Sequence, residues 1–153
     1  IILTGLIVGG MCRGLAVGVI VTLMSLLFSD LNIQHPMTTF IVILLTSAVF
    51  SLAGFINAVF ANSFDDISII PTFVLTPLIY LGGVFYSVQL LPGFWQFVSG
   101  LNPIFYMVNA FRYGILGSSD VDVSWAFIIL SIFLVGLYVS CIYLLRSGKG
   151  IRT

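Results

Sequence analysis

Residues 38–61 form an unbroken run of 24 residues without a charged side chain. No other feature constrains the chain so strongly. Such a run is long enough to cross a hydrocarbon layer as a helix, with some tilt to spare. In that medium backbone groups find no water, so helices and closed barrels are the viable spanning forms. The run is not isolated. Residues 1–28 are apolar apart from Arg13, residues 67–86 carry no charge, and residues 125–145 are again uncharged. The expectation is an all-α, polytopic helix bundle with four transmembrane spans, at about 1–28, 38–61, 67–86 and 125–145.

Composition agrees. Hydrophobic residues make up 60% of the 153 residues and charged residues 7%, too few to coat a water-facing surface. Mean hydropathy is +1.24. Five Lys/Arg balance five Asp, and there is no Glu. A soluble enzyme, a disordered segment and a basic nucleic-acid binder are all excluded. Cys12 and Cys141 lie within apolar runs, form no C-x-x-C pair and read as small hydrophobes. The chain opens at Ile1 with no signal-peptide pattern, which reads as a chain whose beginning lies further upstream.

Residues 87–121 form neither a clean span nor a clean loop. They are aromatic and apolar, yet broken by Pro92-Gly93, Asn102-Pro103 and Arg112. Two short helical pieces, about Phe94–Leu101 and Phe105–Leu116, fit between the breakers. Each is too short to cross. The aromatic residues Phe94, Trp95, Phe97, Phe105, Tyr106 and Tyr113 suit a membrane interface. The region therefore reads as an external re-entrant helical pair. Orientation follows from cations: Arg146, Lys149 and Arg152 cluster in the tail, which places the C-terminus in the cytoplasm. Four spans return the first residues to the same side.

Small groups of residues stand out against this background. Gly10, Gly14 and Gly18 repeat every four residues, with Gly5 and Gly9 on an adjacent face. Such a ladder lets a second helix backbone approach closely. It reads either as ordinary packing within the chain or as a seam in a moving bundle. Arg13 either snorkels to the interface or lines a cytoplasmic vestibule. Asp65 and Asp66 suit the start of the third helix, as do Asp120, Asp122 and Ser124 before the last. Phe73, Pro77, Tyr80 and Val84 recur at spacings of four, three and four, which predicts one shared helical face. That face either meets a cargo or packs the bundle.

No catalytic residue is expected. There is no G-x-x-x-x-G-K-[ST] phosphate loop and no G-x-S-x-G elbow, and His35 is the sole histidine. With no Asp inside a span, a carboxylate proton relay lacks its parts. No metal site and no cofactor are expected on this chain.

The stretch from Pro71 to Tyr86, with Gly82-Gly83 near its end, is followed by Leu91-Pro92, Trp95, Asn102-Pro103 and Arg112-Tyr113-Gly114. This order of motifs resembles the permease subunits of the type-two ABC exporter family. The resemblance runs over the whole chain and implies a six-span transmembrane domain, of which these residues supply spans three to six, the C-terminal part. It implies a bacterial inner membrane location and pairing with a second permease copy. It also implies separate ATPase subunits, on which ATP and Mg act. Asn62, Ser63, Asp65 and Asp66 would face the ATPase, and the 67–86 span would border the substrate route. The cargo class stays open among drug-like, lipid-linked and other hydrophobic compounds. Two rival readings are an ion-gradient-driven secondary transporter and a non-transporting membrane scaffold.

Overall fold

The computed structural model describes residues 2–28 and 32–147, so Asp30, Lys149 and Arg152 lie outside the described residues. Helices α1 (Ile2–Phe28) and α2 (Pro36–Phe60) come first. An articulated segment follows: α3 (Phe64–Ile70), one π-helical turn (Pro71–Leu75) and α4 (Thr76–Leu81). A 3-10 turn (Val88–Leu90) leads to α5 (Gly93–Gly100), α6 (Pro103–Leu116) and α7 (Val123–Arg146). No strand occurs among the described residues. Four helical stretches are long and apolar enough to span a membrane: Leu3–Ser25, Pro36–Phe60, Phe64–Leu81 and Val123–Arg146.

Helix α2 is the centre of the bundle, with α1, α6 and α7 packed around it. Three layers of buried side chains mark its length. Val42 meets Ala110 and Ala126, Val49 meets Met107 and Leu130, and Leu52 meets Leu3 and Cys141. The partners change along the way. In the first two layers α2, α6 and α7 meet. In the third layer α6 is gone and α1 takes its place. Helix α6 thus runs antiparallel beside the first half of α2 and stops partway down. Its 14 residues make about 21 Å, short of the roughly 30 Å that a span must cover. The two short helices of the sequence reading are present, each within a few residues of its expected bounds.

The glycine ladder is the contact between α1 and α2. A Cβ at Gly10 or Gly14 would fall on the side chains of Ser51 or Ser47, and at Gly18 it would touch Ile43. The partner positions 43, 47 and 51 repeat at the same interval, so two stripes of matching period face each other in antiparallel register. The Ser51 hydroxyl donates across the seam to the Leu6 carbonyl at 3.0 Å. Gly5 and Gly9 meet nothing within 4 Å. The sulfur of Cys141 lies 3.7 Å from the Leu52 carbonyl in the buried third layer.

The third span differs most from the sequence expectation. It begins at Phe64 rather than Ile67 and ends at Leu81 rather than Tyr86. The early start comes from a capping box. The Ser63 hydroxyl accepts from the Asp66 amide, and the Asp66 carboxylate accepts from the Ser63 and Asn62 amides. The early end comes from Gly82 and Gly83. The Gly82 amide turns back to the Ile79 carbonyl, and Gly83 adopts φ +75, a left-handed conformation suited to glycine.

The breaks at Pro71 and Gly82 each free a backbone carbonyl, and a neighbouring side chain takes it. Pro71 has no N–H for the Ile67 carbonyl, which accepts instead from Asn57 Nδ2 of α2 at 2.9 Å. The tight turn at Gly82 frees the Leu78 carbonyl, which accepts from Asn102 Nδ2 at 2.6 Å. Asn102 is only 3% exposed, and its Oδ1 also caps α6 by accepting from the Ile104 amide. The two ends of the span are thereby fixed in height. Asn57 sets Ile67 level with the far end of α2. From there Leu81 lies about 21 Å along, whereas Pro36 of α2 lies about 31 Å along. The remaining depth is occupied by the Gly82–Leu91 loop and by α6, which starts level with Leu78 and ends beside His35 and Thr39.

Substitutions at the glycines separate seam from open face. Gly14→Leu is expected to destabilise the bundle by about 1–3 kcal/mol through overpacking against Ser47. Gly9→Leu, facing open space, is expected to be neutral. Thermal unfolding of the purified protein in detergent checks both, with equal membrane insertion as the control.

Candidate functional site

The polar groups of the bundle gather where α2 begins, α6 ends and α7 begins. Arg112 of α6 is their hub. Its Nη1 lies 3.2 Å from Asp120 Oδ2, and its Nη2 donates to the Gly83 carbonyl at 2.7 Å. The same Asp120 oxygen accepts from the Ser87 hydroxyl at 2.9 Å. The Asp120 amide donates to Asn109 Oδ1 at 2.9 Å, and Asn109 Nδ2 donates to the Phe105 carbonyl at 2.9 Å. One cation and one carboxylate therefore tie together the turn after α4, the body of α6 and the loop before α7. Both charged side chains are mostly buried, so each needs the other.

Asp120 is not a cap of the last helix, as the sequence reading had it. Asp122 alone caps α7, accepting from the Ser124 amide at 2.8 Å. Asp120 is taken by Arg112 because α6 brings that guanidinium to the loop. Sequence reasoning missed Asn109, Ser87 and this use of Asp120. One signal was available: an amide at position 109 inside an apolar helix, where a polar side chain must find a partner.

The rest of the motif residues join α6 to its surroundings. Tyr113 stacks on His35 with ring centroids 4.6 Å apart and planes 9° from parallel. The amides of Gln34 and His35 donate to the carbonyls of Ile115 and Gly114. A Cβ at Gly114 would collide with Thr39, so only glycine allows this crossing of α6 and α2. Pro103 opens α6 at a position where its missing N–H costs nothing. Pro92 caps α5 through its carbonyl, which accepts from Trp95 and Gln96. A Cβ at Gly82 would press on Ile104, so this glycine lets α4 approach the start of α6.

Beside the clasp lies a cavity of about 690 Å³, open on one side. Its wall is formed by Gly14, Gly18, Ile43, Thr46, Ile104 and Phe111 with their neighbours, and Arg112 is the charged residue on it. Gly14 and Gly18 of the ladder thus serve twice, as the seam with α2 and as part of this wall. The four expected pathway residues do not stay together. Val84 lines the cavity, but it lies beyond the Gly82–Gly83 turn and off the helix. Phe73, Pro77 and Tyr80 line no wall of the cavity and face outward, with Phe73 72% and Tyr80 56% exposed. Tyr80 contacts Phe85 at 5.8 Å, and its carbonyl accepts from the Tyr86 hydroxyl at 2.7 Å. Neither aromatic ring is taken up by the buried core.

At the opposite end, the expected ATPase contacts divide into two kinds. Ser63 and Asp66 are engaged in the capping box, and the Asn62 amide also donates to Asp66. Asp65 is exposed and makes no ion pair among the described residues. Arg13 is exposed on α1 and likewise has no ion-pair partner among the described residues. Among the described residues no three His, Cys, Asp or Glu side chains come together as a metal site.

The clasp makes a clear prediction. Asp120→Leu leaves the Arg112 guanidinium mostly buried and uncompensated, with an expected loss of about 2 kcal/mol. The double replacement Arg112→Leu with Asp120→Leu is expected to cost less than Asp120→Leu alone. Thermal unfolding of the three proteins in one detergent decides it.

Comparison with known proteins fits this arrangement. The family model described as ABC-2 type transporter matches residues 1–116. The inner membrane transport permease YadH of Escherichia coli (strain K12) is 50% identical over 153 residues, covering 100% of this chain and 60% of that protein. Nodulation protein J of Rhizobium meliloti (strain 1021) is 33% identical over 82 residues, 54% of this chain and 31% of its own length. Nodulation protein J of Rhizobium leguminosarum bv. viciae is 28% identical over 105 residues, 69% of this chain and 40% of its own length. The chain thus spans 60% of the length of the permeases it matches end to end. No solved structure matches. With the family match extending from the first residue through the end of α6, and four helices able to span a membrane, this chain belongs to the ABC-2 type transporter family of multi-pass membrane proteins.

Proposed function

We propose that these helices form the C-terminal part of the transmembrane domain of an exporter permease driven by ATP. The observation that carries this reading is family membership over most of the chain. Nucleotide binding and Mg-dependent hydrolysis then belong to separate ATPase subunits. Two permease copies assemble in the bacterial inner membrane around a shared route. The similarity to YadH, an inner membrane transport permease, supports that location. The tail cations Arg146, Lys149 and Arg152 support a cytoplasmic C-terminus. That orientation puts the Asn62–Asp66 turn on the cytoplasmic side and the Arg112 clasp on the external side.

The cargo is hydrophobic, lipid-linked or drug-like. The apolar cavity wall supports this, since it offers contact area with few polar groups to fix a hydrophilic solute. The exposed ring of Tyr80 and that of Phe73 lie on the span that borders the route or the second copy. The test is purification of the full-length permease with its ATPase, followed by ATP hydrolysis measured across a panel of lipids and drugs. Stimulation by a subset of the panel is expected. Transport that persists without ATP and collapses with the ion gradient would overturn the reading.

Two substitutions sharpen it. Asp65→Lys is expected to reduce transport per ATP hydrolysed by several-fold, because Asp65 is the acidic group of the turn not engaged in the cap. Asp66→Asn keeps an acceptor for the cap and is expected to leave that ratio near normal. For the cargo, Tyr80→Ala is expected to change which compounds stimulate hydrolysis while basal activity and expression hold, and Tyr80→Phe is expected to change neither. Dose–response curves on reconstituted complexes read both.

A further inference from the structure

The articulated third span has two arms held by two different helices. The lower arm, α3, is tied to α2 through Asn57 Nδ2 on the Ile67 carbonyl. The upper arm, α4 with its turn, is tied to α6 through Asn102 Nδ2 on the Leu78 carbonyl and Arg112 Nη2 on the Gly83 carbonyl. Between the tethers lies the Pro71–Leu75 π turn. A π turn and proline are the usual sites at which a helix bends, because the regular ladder of hydrogen bonds is already interrupted there. Pro71 and Pro77 remove two donors from this short stretch. The Thr76 hydroxyl reaches only weakly back to the Pro71 carbonyl, at 3.4 Å. No residue from Phe64 to Leu81 is fully buried, and within the π turn only Leu75 is partly covered, so little side-chain packing holds the angle between the arms.

We infer that Pro71–Leu75 is a hinge, with the upper arm moving as one body with α6 while the lower arm stays with the far end of α2. A change of angle between the two arms is taken up by this single turn.

The test uses the full-length permease in lipid nanodiscs, with paired spin labels at Ile69 and Phe85, both exposed and on opposite arms. A control pair at Met37 and Phe60 spans α2. The expected result is a broad or two-peaked distance distribution for the arm pair and a narrow one for the control. The double substitution Pro71→Ala with Pro77→Ala restores both donors and is expected to narrow the arm distribution at least about twofold. Asn57→Leu cuts the lower tether and is expected to broaden it. If the double-alanine protein does not fold, Asn57→Leu decides alone. A narrow arm distribution in the unsubstituted protein overturns the hinge. So does a broad one unchanged by either substitution.

Discussion

Unpaired backbone carbonyls in the third span set most of the architecture. In hydrocarbon a freed C=O has no water to turn to, and leaving it bare costs several kcal/mol. Proline at 71 and glycine at 82 each free one. The structure answers with Asn57 and Asn102, long enough to reach across and carrying an amide donor. These bonds fix where the third span sits against α2 and how high it rises. They also fix where α6 begins, because Asn102 caps α6 with one end of its amide and holds Leu78 with the other. Removing one interaction would therefore disturb two elements at once.

Shape follows from that height. The third span stops short, and the space above it is filled by a half-depth helix instead of more span. A half-depth helix brings its own polar ends into the bundle: Asn102 caps the first, and the amides of Gln34 and His35 take the Ile115 and Gly114 carbonyls at the last. The cavity is the geometric remainder. On one side α1 is drawn tightly onto α2 by facing stripes of glycine and small residues. On the other, α6 is drawn onto α2 by the Gly114–Thr39 crossing. The volume left between the two contacts is walled in part by residues of the seam itself, Gly14, Gly18, Ile43 and Ser47, and in part by neighbours such as Ile104 and Phe111.

Much of this was legible in the sequence. Four spans follow from charge-free length alone, since nothing else can fold such runs. The two short helices follow from Pro92-Gly93 and Asn102-Pro103, because breakers act locally. The glycine ladder was visible as a contact surface, but its partner stripe at Ile43, Ser47 and Ser51 was not, since serines at spacing four in an apolar run have many uses. The start of the third span was misplaced because Ser63 and Asp66 act as a pair across three residues. Its end was misplaced because Gly82-Gly83 reads as apolar continuation until a positive φ is known. The shared face of Phe73, Pro77, Tyr80 and Val84 failed for the same reason: Val84 lies past the turn, where helical spacing no longer applies. Long-range polar pairing, as between Arg112 and Asp120, depends on how the loops close, which no local pattern records.

The Arg112–Asp120 pair has an electrical consequence. A single arginine displaced through the whole field of an energised membrane exchanges about 2.3 kcal/mol with it for each 100 mV. Here the guanidinium travels with a carboxylate 3.2 Å away, so the unit carries no net charge. Its residual dipole couples to the field far more weakly than a monopole does. The end of α6 can therefore shift in depth without doing appreciable work against the membrane voltage for as long as the pair stays together.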